Sequence, residues 1–511
     1  MTASPVSESR RTSRIEDALF RSARELPDKE ALTHVGGSLS YAQFAGAALQ
    51  VARTLGERGV AAGERVATFL DKTPEAAIAL YGIWTAGAVA VPVNEGLRSA
   101  QVEHILKDSG ARVLITQARK LSSLDEAAVA GVSCIEVGGD APAFASHDAA
   151  PSASYPAGKE PAIILYTSGS TGLPKGILIS HDNLVAGARI VGRYLELQRD
   201  ERILSILPFS FDYGLNQLLT AVDQGATLFL QRSMLPADIC RSLEKFDITG
   251  MAGVPTLWHQ LMQRHSPFHD LRLPQLRYIT NSGGAFPVEL VQRYRQQLPH
   301  VRIYLMYGLS EAFRSTYLPP EQVDKRPSSM GKAIPETEIL VVTADGKECG
   351  PEEVGELVHA GPTVSLGYWN RPESTAACFK PHPLRPDSPE WVVYSGDMVK
   401  RDAEGFLYFV GRRDQQIKSS GFRVSPEEVE QAVYRSGLVL EVVVRGVPDE
   451  LLGQAIVAHV LPQQPETFSV DALKDYCNRE MPRYMVPKQF EVHESFPRTA
   501  SGKVDRKRVG T

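Results

Sequence analysis

One stretch of the chain, residues 163–176, constrains the possible folds more than any other. It reads Ile-Ile-Leu-Tyr-Thr-Ser-Gly-Ser-Thr-Gly-Leu-Pro-Lys-Gly, so an apolar run typical of a buried strand leads into glycines, hydroxyls and a lysine. Because glycine lets backbone N–H groups turn toward a ligand, such a loop can form a concave anion site. A surface turn would have a similar composition. The preceding strand and the following Pro-Lys-Gly favour a nucleotide phosphate site, although the spacing differs from that of P-loop NTPases.

The length and composition indicate a soluble protein with more than one domain. A chain of 511 residues is too long for one ordinary core, and 43% hydrophobic with 23% charged residues is usual for a globular protein. The net charge of -5, without a basic stripe, gives no reason to expect nucleic acid. Neither a signal sequence nor a long apolar stretch is visible, so we expect a cytoplasmic protein without a membrane partner. The cysteines are far apart, which predicts buried free thiols rather than a zinc site.

Strand-like and helix-like patterns alternate along most of the chain. Residues 66–70 and 88–93, for example, read as strands with an Ala-rich helical pattern between them. Such alternation predicts βαβ units, mostly parallel sheets and flanking helices. Short strands with glycine turns predict a β-rich subdomain over residues 328–410, and the end of the chain has an αβ pattern of its own. We therefore predict an α/β fold with a large N-terminal domain, residues 1–410, and a small α+β C-terminal domain, residues 411–511.

Two further loops follow apolar strands and carry polar groups. One is Asn281-Ser282-Gly283-Gly284, whose glycine backbone could pack against a flat base, and the other is Tyr307-Gly308-Leu309-Ser310-Glu311. In open α/β sheets, ligands bind beyond the carboxyl ends of strands. Glu311 could hold Mg²⁺, which prefers a few carboxylates together with phosphate oxygens. Each loop alone could be a structural turn, but the three loops together indicate a nucleotide site.

Many further motifs agree with one family. They are Gly355-Glu356-Leu357, residues 367–375 (Gly-Tyr-Trp-Asn-Arg-Pro-Glu-Ser-Thr), Tyr394-Ser395-Gly396-Asp397, residues 411–418 (Gly-Arg-Arg-Asp-Gln-Gln-Ile-Lys), Gly421-Phe422-Arg423-Val424 and residues 497–503 (Pro-Arg-Thr-Ala-Ser-Gly-Lys). With the three loops, these motifs extend over nearly the whole chain. The chain resembles the adenylate-forming superfamily, which includes acyl-CoA synthetases, amino-acid adenylation domains and luciferases. The resemblance implies ATP and Mg²⁺ as cofactors.

The resemblance also implies a role for each matching residue. The β,γ-phosphates and the departing pyrophosphate would contact Thr167, Ser168, Gly169, Ser170, Thr171, Gly172 and Lys175. Further nucleotide contacts would come from Asn281, Ser282, Gly283, Tyr307, Asp397 and Arg412, with Asp397 on the ribose hydroxyls. Ser310, where the family usually has Thr, would contact the α-phosphate, and Glu311 would bind Mg²⁺.

Lys503 would reach into the site of the first step, where a carboxylate oxygen attacks the α-phosphorus and negative charge builds up. Without the Pro-Arg-Thr-Ala-Ser-Gly context before it, a solvated basic tail would be the better interpretation. In this family Asp414 would be a hinge about which the small domain rotates. That rotation would move Lys503 out and bring the Gly421 loop toward the incoming thiol.

The identity of the acid depends on residues 207–216, Leu-Pro-Phe-Ser-Phe-Asp-Tyr-Gly-Leu-Asn. Acyl-CoA ligases commonly have an aromatic-His pair here, whereas Phe211-Asp212 resembles amino-acid adenylation domains, in which the carboxylate pairs with the substrate ammonium. A helix-capping role for Asp212 is the alternative. Arg314 could pair with Asp212 or bind a second carboxylate of the substrate. By position, the acyl pocket would be lined by Tyr213, Asn216, Ala252, Ile279, Asn281 and Met306.

These features predict an AMP-forming ligase that activates an amino acid, α or β, and transfers it to the phosphopantetheine thiol of a carrier protein. The alternative is an acyl-CoA ligase that uses a non-amino acid and coenzyme A, a class that includes ligase-like proteins of bacterial exopolysaccharide systems. A third interpretation is a degenerate adenylate-binding scaffold. It is disfavoured because the residues expected to act on ATP are all present, namely Lys175, Glu311, Asp397, Arg412 and Lys503.

Overall fold

The computed structural model describes residues 14–138, 160–167, 174–413, 417–419, 422–449, 453–481, 485–499 and 502–510. Several residues named in the predictions fall outside these ranges: the hinge residue Asp414, the Gly421 loop, and the loop residues Ser168, Gly169, Ser170, Thr171 and Gly172. None of the helices in the described ranges has the length and apolar character that a membrane crossing needs.

The described helices and strands follow one another along the whole chain. The helices are α1 (Ile15–Glu25), α2 (Tyr41–Glu57), α3 (Pro74–Thr85), α4 (Ser99–Ser109), α5 (Ala118–Leu121), α6 (His181–Tyr194), α7 (Asp212–Gln224), α8 (Pro236–Lys245), α9 (Pro255–Leu261), α10 (Val288–Gln297), α11 (Pro372–Cys378), α12 (Pro426–Tyr434) and α13 (Val470–Glu480). The strands are β1 (Glu30–His34), β2 (Gly37–Ser40), β3 (Arg65–Phe69), β4 (Val89–Pro92), β5 (Val113–Thr116), β6 (Ser133–Glu136), β7 (Pro161–Thr167), β8 (Lys175–Ser180), β9 (Arg202–Ser205), β10 (Thr227–Leu230), β11 (Gly250–Gly253), β12 (Tyr278–Asn281), β13 (Arg302–Tyr307), β14 (Thr316–Leu318), β15 (Lys332–Ala333), β16 (Glu338–Val342), β17 (Gly355–Ala360), β18 (Gly367–Tyr368), β19 (Phe379–Pro381), β20 (Trp391–Arg401), β21 (Leu407–Arg412), β22 (Ile417–Ser419), β23 (Phe422–Val424), β24 (Val439–Asp449), β25 (Gly453–Pro462) and β26 (Gln489–Val492).

Two large sheets form the body of the chain. The first has the strand order β15-β14-β13-β12-β11-β9-β10-β1-β2, and the second has the order β18-β8-β7-β4-β3-β5-β6. The inner strands are parallel, and antiparallel pairs occur toward the edges. Inner strands such as β5 and β10 are buried along their length, as expected where helices cover both faces of a parallel sheet. Helix α3 is apolar on nearly every side and is accordingly buried almost throughout.

Two smaller sheets complete the fold. The first consists of β16, β17, β20, β19 and β21 and is antiparallel, which matches the β-rich segment expected from its glycine turns. The second lies between residues 417 and 492 and has a separate apolar core, which includes Ile417, Val433 and Val444. The predicted α/β fold, with a large N-terminal domain, a β-rich subdomain and a smaller C-terminal domain, is therefore confirmed. The division at residue 411 stays a prediction.

The structure differs from the sequence-based expectations in three places. The hairpin of β1 and β2 and the strand β26 were not expected, because each is short and only weakly patterned. The strand after the glycine loop runs back antiparallel to the strand before it, with Thr167 opposite Lys175. Strands β7 and β8 are thus antiparallel neighbours rather than members of a βαβ unit. All the cysteines are free, but Cys134 and Cys378 are only partly buried.

The fold brings the polar loops to one edge. Strands β12 and β13 are adjacent and parallel, so the Asn281 and Tyr307 loops leave the sheet side by side. Strand β9 leads through a short loop into α7, which begins at Asp212. The end of the chain packs against the same region, since Thr256 donates a hydrogen bond to the carbonyl of Gly502 over 3.3 Å.

Candidate active site

Asp212 is the first residue of α7, and its side chain is buried, with 5% of its surface exposed. One carboxylate oxygen accepts a hydrogen bond from the N–H of Tyr213 (2.7 Å), and the other accepts one from the hydroxyl of Ser310 (3.2 Å). The N-cap position is held by Phe211. Asp212 is therefore not the capping residue, and its carboxylate faces the loop that follows β13.

Arg314 lies beside Asp212 without forming a close ion pair. The Nη1 atom is 3.9 Å from a carboxylate oxygen of Asp212, whereas the guanidinium donates to the main-chain carbonyls of Phe313 (2.8 Å) and Asp212 (3.3 Å). The guanidinium also lies over the ring of Tyr213, 5.1 Å from its centre. Within the described residues, the buried Nε has no hydrogen-bond partner. One donor of Arg314 therefore remains available to a ligand.

A cavity of about 370 Å³ lies between α6, α7 and the first large sheet. It is lined by Val191, Leu195, Leu197, Ile203, Tyr213, Asn216, Gln217, Thr220, Ala252, Tyr278, Thr280, Met306 and Arg314. Five residues predicted for the substrate site, Tyr213, Asn216, Ala252, Met306 and Arg314, are in this group. The amide nitrogen of Asn216 is buried and has no hydrogen-bond partner among the described residues. The cavity thus has an apolar side and a side with unpaired donors.

Ile279 was predicted to line the acyl pocket, but it is not among the residues that line this cavity in the described structure. Its neighbours Tyr278 and Thr280 line it instead, because successive side chains of a strand point to opposite faces. Thr280 also accepts a hydrogen bond from the hydroxyl of Tyr213, at 2.9 Å to its carbonyl. Asn281 lies on the same face of β12 as Ile279, and its amide donates to the carbonyl of Gly284 (3.0 Å). Ser282 is anchored by its N–H to the carbonyl of Gly253.

Lys503 reaches this site from the end of the chain. Its ammonium lies 4.8 Å from the centre of the Phe211 ring. Its side chain also passes Gly283, where a Cβ would lie 2.8 Å from Cε and 3.0 Å from Nζ of the lysine. Burial lowers the pKa of Lys503, and the nearby Asp212 carboxylate partly opposes this effect. The lysine is thus largely buried beside Phe211 and Asp212 rather than surrounded by solvent.

The segment that carries Lys503 is anchored by ion pairs. Arg506 donates to both carboxylate oxygens of Glu430 on α12, at 2.9 and 2.5 Å, and Arg498 donates to Glu441 at 2.6 Å. Burial raises the pKa of Glu430 to about 7, although Arg506 opposes this effect. A two-fold bond to a carboxylate fixes the orientation of an arginine. The interpretation of this segment as a solvated basic tail does not fit these contacts.

Asp397 and Arg412 face each other on the adjacent strands β20 and β21. Arg412 donates to one carboxylate oxygen of Asp397 over 2.8 Å, and the hydroxyl of Tyr307 donates to the other. Burial raises the pKa of Asp397, while Arg412 and Tyr307 oppose this effect. The three residues predicted to contact the nucleotide at this position therefore form one group at the end of β13.

Lys175 and Glu311 are connected through Tyr368, which the sequence analysis did not single out. The hydroxyl of Tyr368 donates to Glu311, and the Lys175 ammonium lies 5.9 Å from the centre of the same ring. Lys175 also donates to the hydroxyl of Ser374 (3.3 Å). Tyr368 and Ser374 both belong to the motif of residues 367–375, which was the signal for them. The Glu311 carboxylate fits Mg²⁺, a hard cation that binds through one or two carboxylates and phosphate oxygens.

Comparisons with known proteins identify the family of the chain. Residues 19–369 match the model of the AMP-binding enzyme family, and residues 428–503 match that of the AMP-binding enzyme C-terminal domain. A long-chain-fatty-acid–CoA ligase of Bacillus subtilis (strain 168) is 28% identical over 97% of this chain and 94% of its own length. A feruloyl-CoA synthase of Amycolatopsis sp is 31% identical over 95% of this chain and 96% of its own length. A delta-poly-L-ornithine synthetase of Acinetobacter baumannii (strain AB307-0294) is 30% identical over 96% of this chain, which spans only 36% of that protein.

Solved structures of CoA ligases are similar to this chain over nearly its whole length. The o-succinylbenzoate coenzyme A synthetase from Bacillus subtilis in complex with ATP and a magnesium ion superposes with a TM-score of 0.84 at 28% identity, over 97% of this chain and 99% of that chain. An anthranilate CoA ligase in complex with anthranoyl-AMP superposes with a TM-score of 0.89 at 25% identity, over 98% of this chain and 97% of that chain.

Proposed function

The chain belongs to the AMP-binding enzyme family and is an AMP-forming ligase, and from this premise we propose that its acid substrate is an α- or β-amino acid. The family match and the relatives support ATP-dependent adenylation of a carboxylic acid followed by thioester formation. ATP and Mg²⁺ are the cofactors of such enzymes. The finer proposal concerns which acid is activated and which thiol receives it.

The position of Asp212 is the observation that carries the amino-acid proposal. Its buried carboxylate lies near both Ser310 and Lys503, the residues proposed to act on the α-phosphate and on the reacting carboxyl group. An ionised carboxylate can accept about four hydrogen bonds, and the direct donors found in the described structure are the neutral groups of Tyr213 and Ser310. A substrate ammonium is the partner that would complete this site, because a buried carboxylate is stabilised by a close opposite charge.

The polar groups that line the cavity indicate which groups the rest of the substrate carries. Arg314 Nε and Asn216 Nδ2 are buried donors without partners among the described residues. Leaving buried donors unpaired costs about 1–3 kcal/mol each, so a substrate that supplies acceptors there gains affinity. We expect an amino acid whose side chain ends in a carbonyl, amide or carboxylate group.

The proposal gives each residue on the nucleotide side of the site a contact with ATP or Mg²⁺. Thr167 and Lys175 hold the β,γ-phosphates together with the loop that joins them, and Ser310 contacts the α-phosphate. Asp397, supported by Tyr307 and Arg412, accepts the ribose hydroxyls. Glu311 would hold Mg²⁺, which supplies charge neutralisation at the phosphates.

Lys503 acts at the first step of the reaction. A carboxylate oxygen of the acid forms a bond to the α-phosphorus, and the bond to the pyrophosphate oxygen breaks. Negative charge grows at both ends of this displacement. The Lys503 ammonium is directed to the acid by Gly283 and Phe211, so it stabilises that charge without reorganisation.

For the second step we propose the phosphopantetheine thiol of a carrier protein as the acceptor. A second candidate function is an acyl-CoA ligase that uses a non-amino acid. It is favoured by the two positively charged side chains near Asp212, Arg314 and Lys503, which already flank its carboxylate. In that case Asp212 would be a counter-ion of the enzyme rather than a partner of the substrate.

Substrate-dependent ATP–pyrophosphate exchange separates the two candidates. The panel contains α-amino acids, β-amino acids including anthranilate, and simple fatty and aromatic acids. We expect exchange with amino acids only, and its loss in Asp212→Ala. Exchange with simple acids that is unchanged in Asp212→Ala would refute the amino-acid proposal.

Coenzyme A then tests the acceptor. We expect the adenylate to accumulate when coenzyme A is the only thiol offered. Rapid formation of an acyl-CoA would refute the carrier-protein acceptor and leave the adenylation assignment intact.

A further inference from the structure

A cluster of two histidines and a glutamate lies in the last sheet, away from the candidate active site. Strands β25 and β26 are parallel, and His459 is directly opposite Glu491 in their register. His493 follows β26, and its N–H donates to the carbonyl of Val460 over 2.9 Å. Glu491 and His493 are two residues apart on one extended segment, so their side chains point to the same face. All three side chains therefore converge at one place.

The distances between their polar atoms are short. His459 Nδ1 lies 3.0 Å from a carboxylate oxygen of Glu491 and 3.1 Å from His493 Nε2, and the last two atoms are 4.0 Å apart. Ligands of a tetrahedral Zn²⁺, at bonds of about 2.0–2.1 Å, are separated by about 3.3 Å. The three observed separations lie on both sides of that value. Small side-chain rotations would bring all three atoms to bonding distance of one ion.

Hydrogen bonds alone satisfy this cluster poorly. His459 Nδ1 lies close to both a carboxylate oxygen of Glu491 and Nε2 of His493, and a ring nitrogen either donates one proton or accepts one. If it donates to Glu491, or if it accepts a proton from His493, the other neighbour has no full hydrogen bond to it. A metal ion removes the conflict, because it accepts lone pairs from all three atoms at once.

We propose that His459, Glu491 and His493 form a binding site for a divalent transition metal such as Zn²⁺, with water completing the coordination. Two imidazoles and one carboxylate are ligands typical of zinc and unlike those of Mg²⁺ or Ca²⁺. His459 is buried, whereas Glu491 and His493 are partly exposed, so an ion can reach the site from solvent.

The surroundings restrict how His459 can move. The backbone of Gly510 packs so closely against its ring that a Cβ there would lie 2.2 Å from a ring carbon. Arg445, which donates to the carbonyl of Val509, places a positive charge nearby. Glu491 supplies the negative charge of the proposed ligand set, and this charge offsets the positive charge of Arg445. The site would connect β25 with β26 and so stabilise the small sheet that precedes Lys503.

The test is a metal titration of the full-length chain after treatment with a chelator. Zn²⁺ binding is measured by calorimetry, and Co²⁺ binding by visible absorption, which reports coordination by nitrogen, oxygen or sulfur. The variants are His493→Ala and Glu491→Gln, both at partly exposed positions, and the matched control is His265→Ala, an exposed histidine elsewhere. Thermal unfolding with and without Zn²⁺ shows whether each variant is folded.

We expect the wild-type chain to bind one Zn²⁺. The affinity for Zn²⁺ should fall at least about tenfold in each variant and stay unchanged in the control. Zn²⁺ should raise the melting temperature of the wild type and the control more than that of the variants. Equal affinity in all four proteins would overturn the proposal, as would a Co²⁺ spectrum with thiolate bands or the absence of saturable binding. If a variant unfolds, the Co²⁺ spectrum of the wild-type chain alone decides between nitrogen–oxygen and sulfur ligands.

Discussion

The ammonium of Lys503 lies over the ring of Phe211, 4.8 Å from the centre of that ring. Phe211 immediately precedes Asp212 in the sequence. This contact brings the end of the chain to the first turn of α7. Tyr213 and Arg314, which lie next to Asp212, line the cavity, and Asp397 accepts a hydrogen bond from Tyr307 at the end of β13. This arrangement is the basis of the role proposed for Lys503 in the first half-reaction.

Lys503→Ala should separate the two half-reactions. Loss of an ammonium that stabilises transition-state charge lowers the rate by about 10²–10³-fold. We expect that loss in ATP–pyrophosphate exchange, and little change in thioester formation from preformed adenylate. Lys507→Ala, an exposed lysine in the same segment, is the matched control and should behave as the wild type. Equal losses in both half-reactions would refute the role proposed for Lys503.

Gly283→Ala tests the path of the Lys503 side chain. The new methyl group would lie 2.8 Å from Cε of Lys503, so the lysine has to move away and adenylation should fall. The backbone at Gly283 has φ +80, where a side chain costs about 1–2 kcal/mol. Gly346 has the same φ and open space around its Cα, so Gly346→Ala isolates the cost of strain. Exchange rates that fall equally in both variants would show that strain, and not the lysine, is responsible.

Glu430→Gln should change the pH dependence of stability. Burial raises the pKa of Glu430 to about 7, so the folded state takes up a proton that the unfolded state releases nearer pH 4.5. This group therefore contributes stability below about pH 4.5 and loses that contribution as pH rises to about 7. We expect the difference in free energy of unfolding between wild type and variant to vary with pH in this window. Denaturant unfolding from pH 4.5 to 8 measures it, and a constant difference would contradict the assignment.

Tyr307→Phe should weaken ATP binding. The Tyr307 hydroxyl holds the Asp397 carboxylate in place, so its removal should raise the KM for ATP by about two- to tenfold, the effect of losing a positioning hydrogen bond worth about 0.5–1.5 kcal/mol. The hydroxyl of Tyr307 also lowers the pKa of Asp397, so its removal raises that pKa further. When the KM for ATP is plotted against pH, its rise on the acidic side should therefore move to higher pH. Tyr304→Phe, on the same strand, is the control, and an identical profile in both variants would count against the ribose role of Asp397.

Local patterns in the sequence predicted the α/β body, the β-rich segment and the loops that follow β12 and β13. The side of a strand that faces a cavity is harder to predict. Ile279 was expected to line the acyl pocket, whereas its neighbours Tyr278 and Thr280 line the described cavity, because a shift of one residue moves a side chain to the other face of a sheet. The roles of all the site residues, Ile279 included, stay predictions.

Contacts between distant parts of the chain could not be predicted from local patterns. Tyr368 joins Lys175 to Glu311, and Arg506 binds Glu430, across 57 or more positions of the sequence in each case. Such pairs depend on how sheets and domains pack, and a single sequence gives no signal for them beyond the residue types. The motif that contains Tyr368 was visible, but its contacts with Lys175 and Glu311 were not.

The most direct test of the central proposal compares an amino acid with its des-amino analogue in the wild type and in Asp212→Asn. For the best amino-acid substrate, kcat/KM in ATP–pyrophosphate exchange should exceed that of the analogue by about a hundredfold or more in the wild type. The Asn variant keeps the shape of the side chain but removes the charge, and this preference should fall to less than about tenfold. A wild type without the preference, or a variant that retains it in full, would contradict the proposal that Asp212 binds the substrate ammonium.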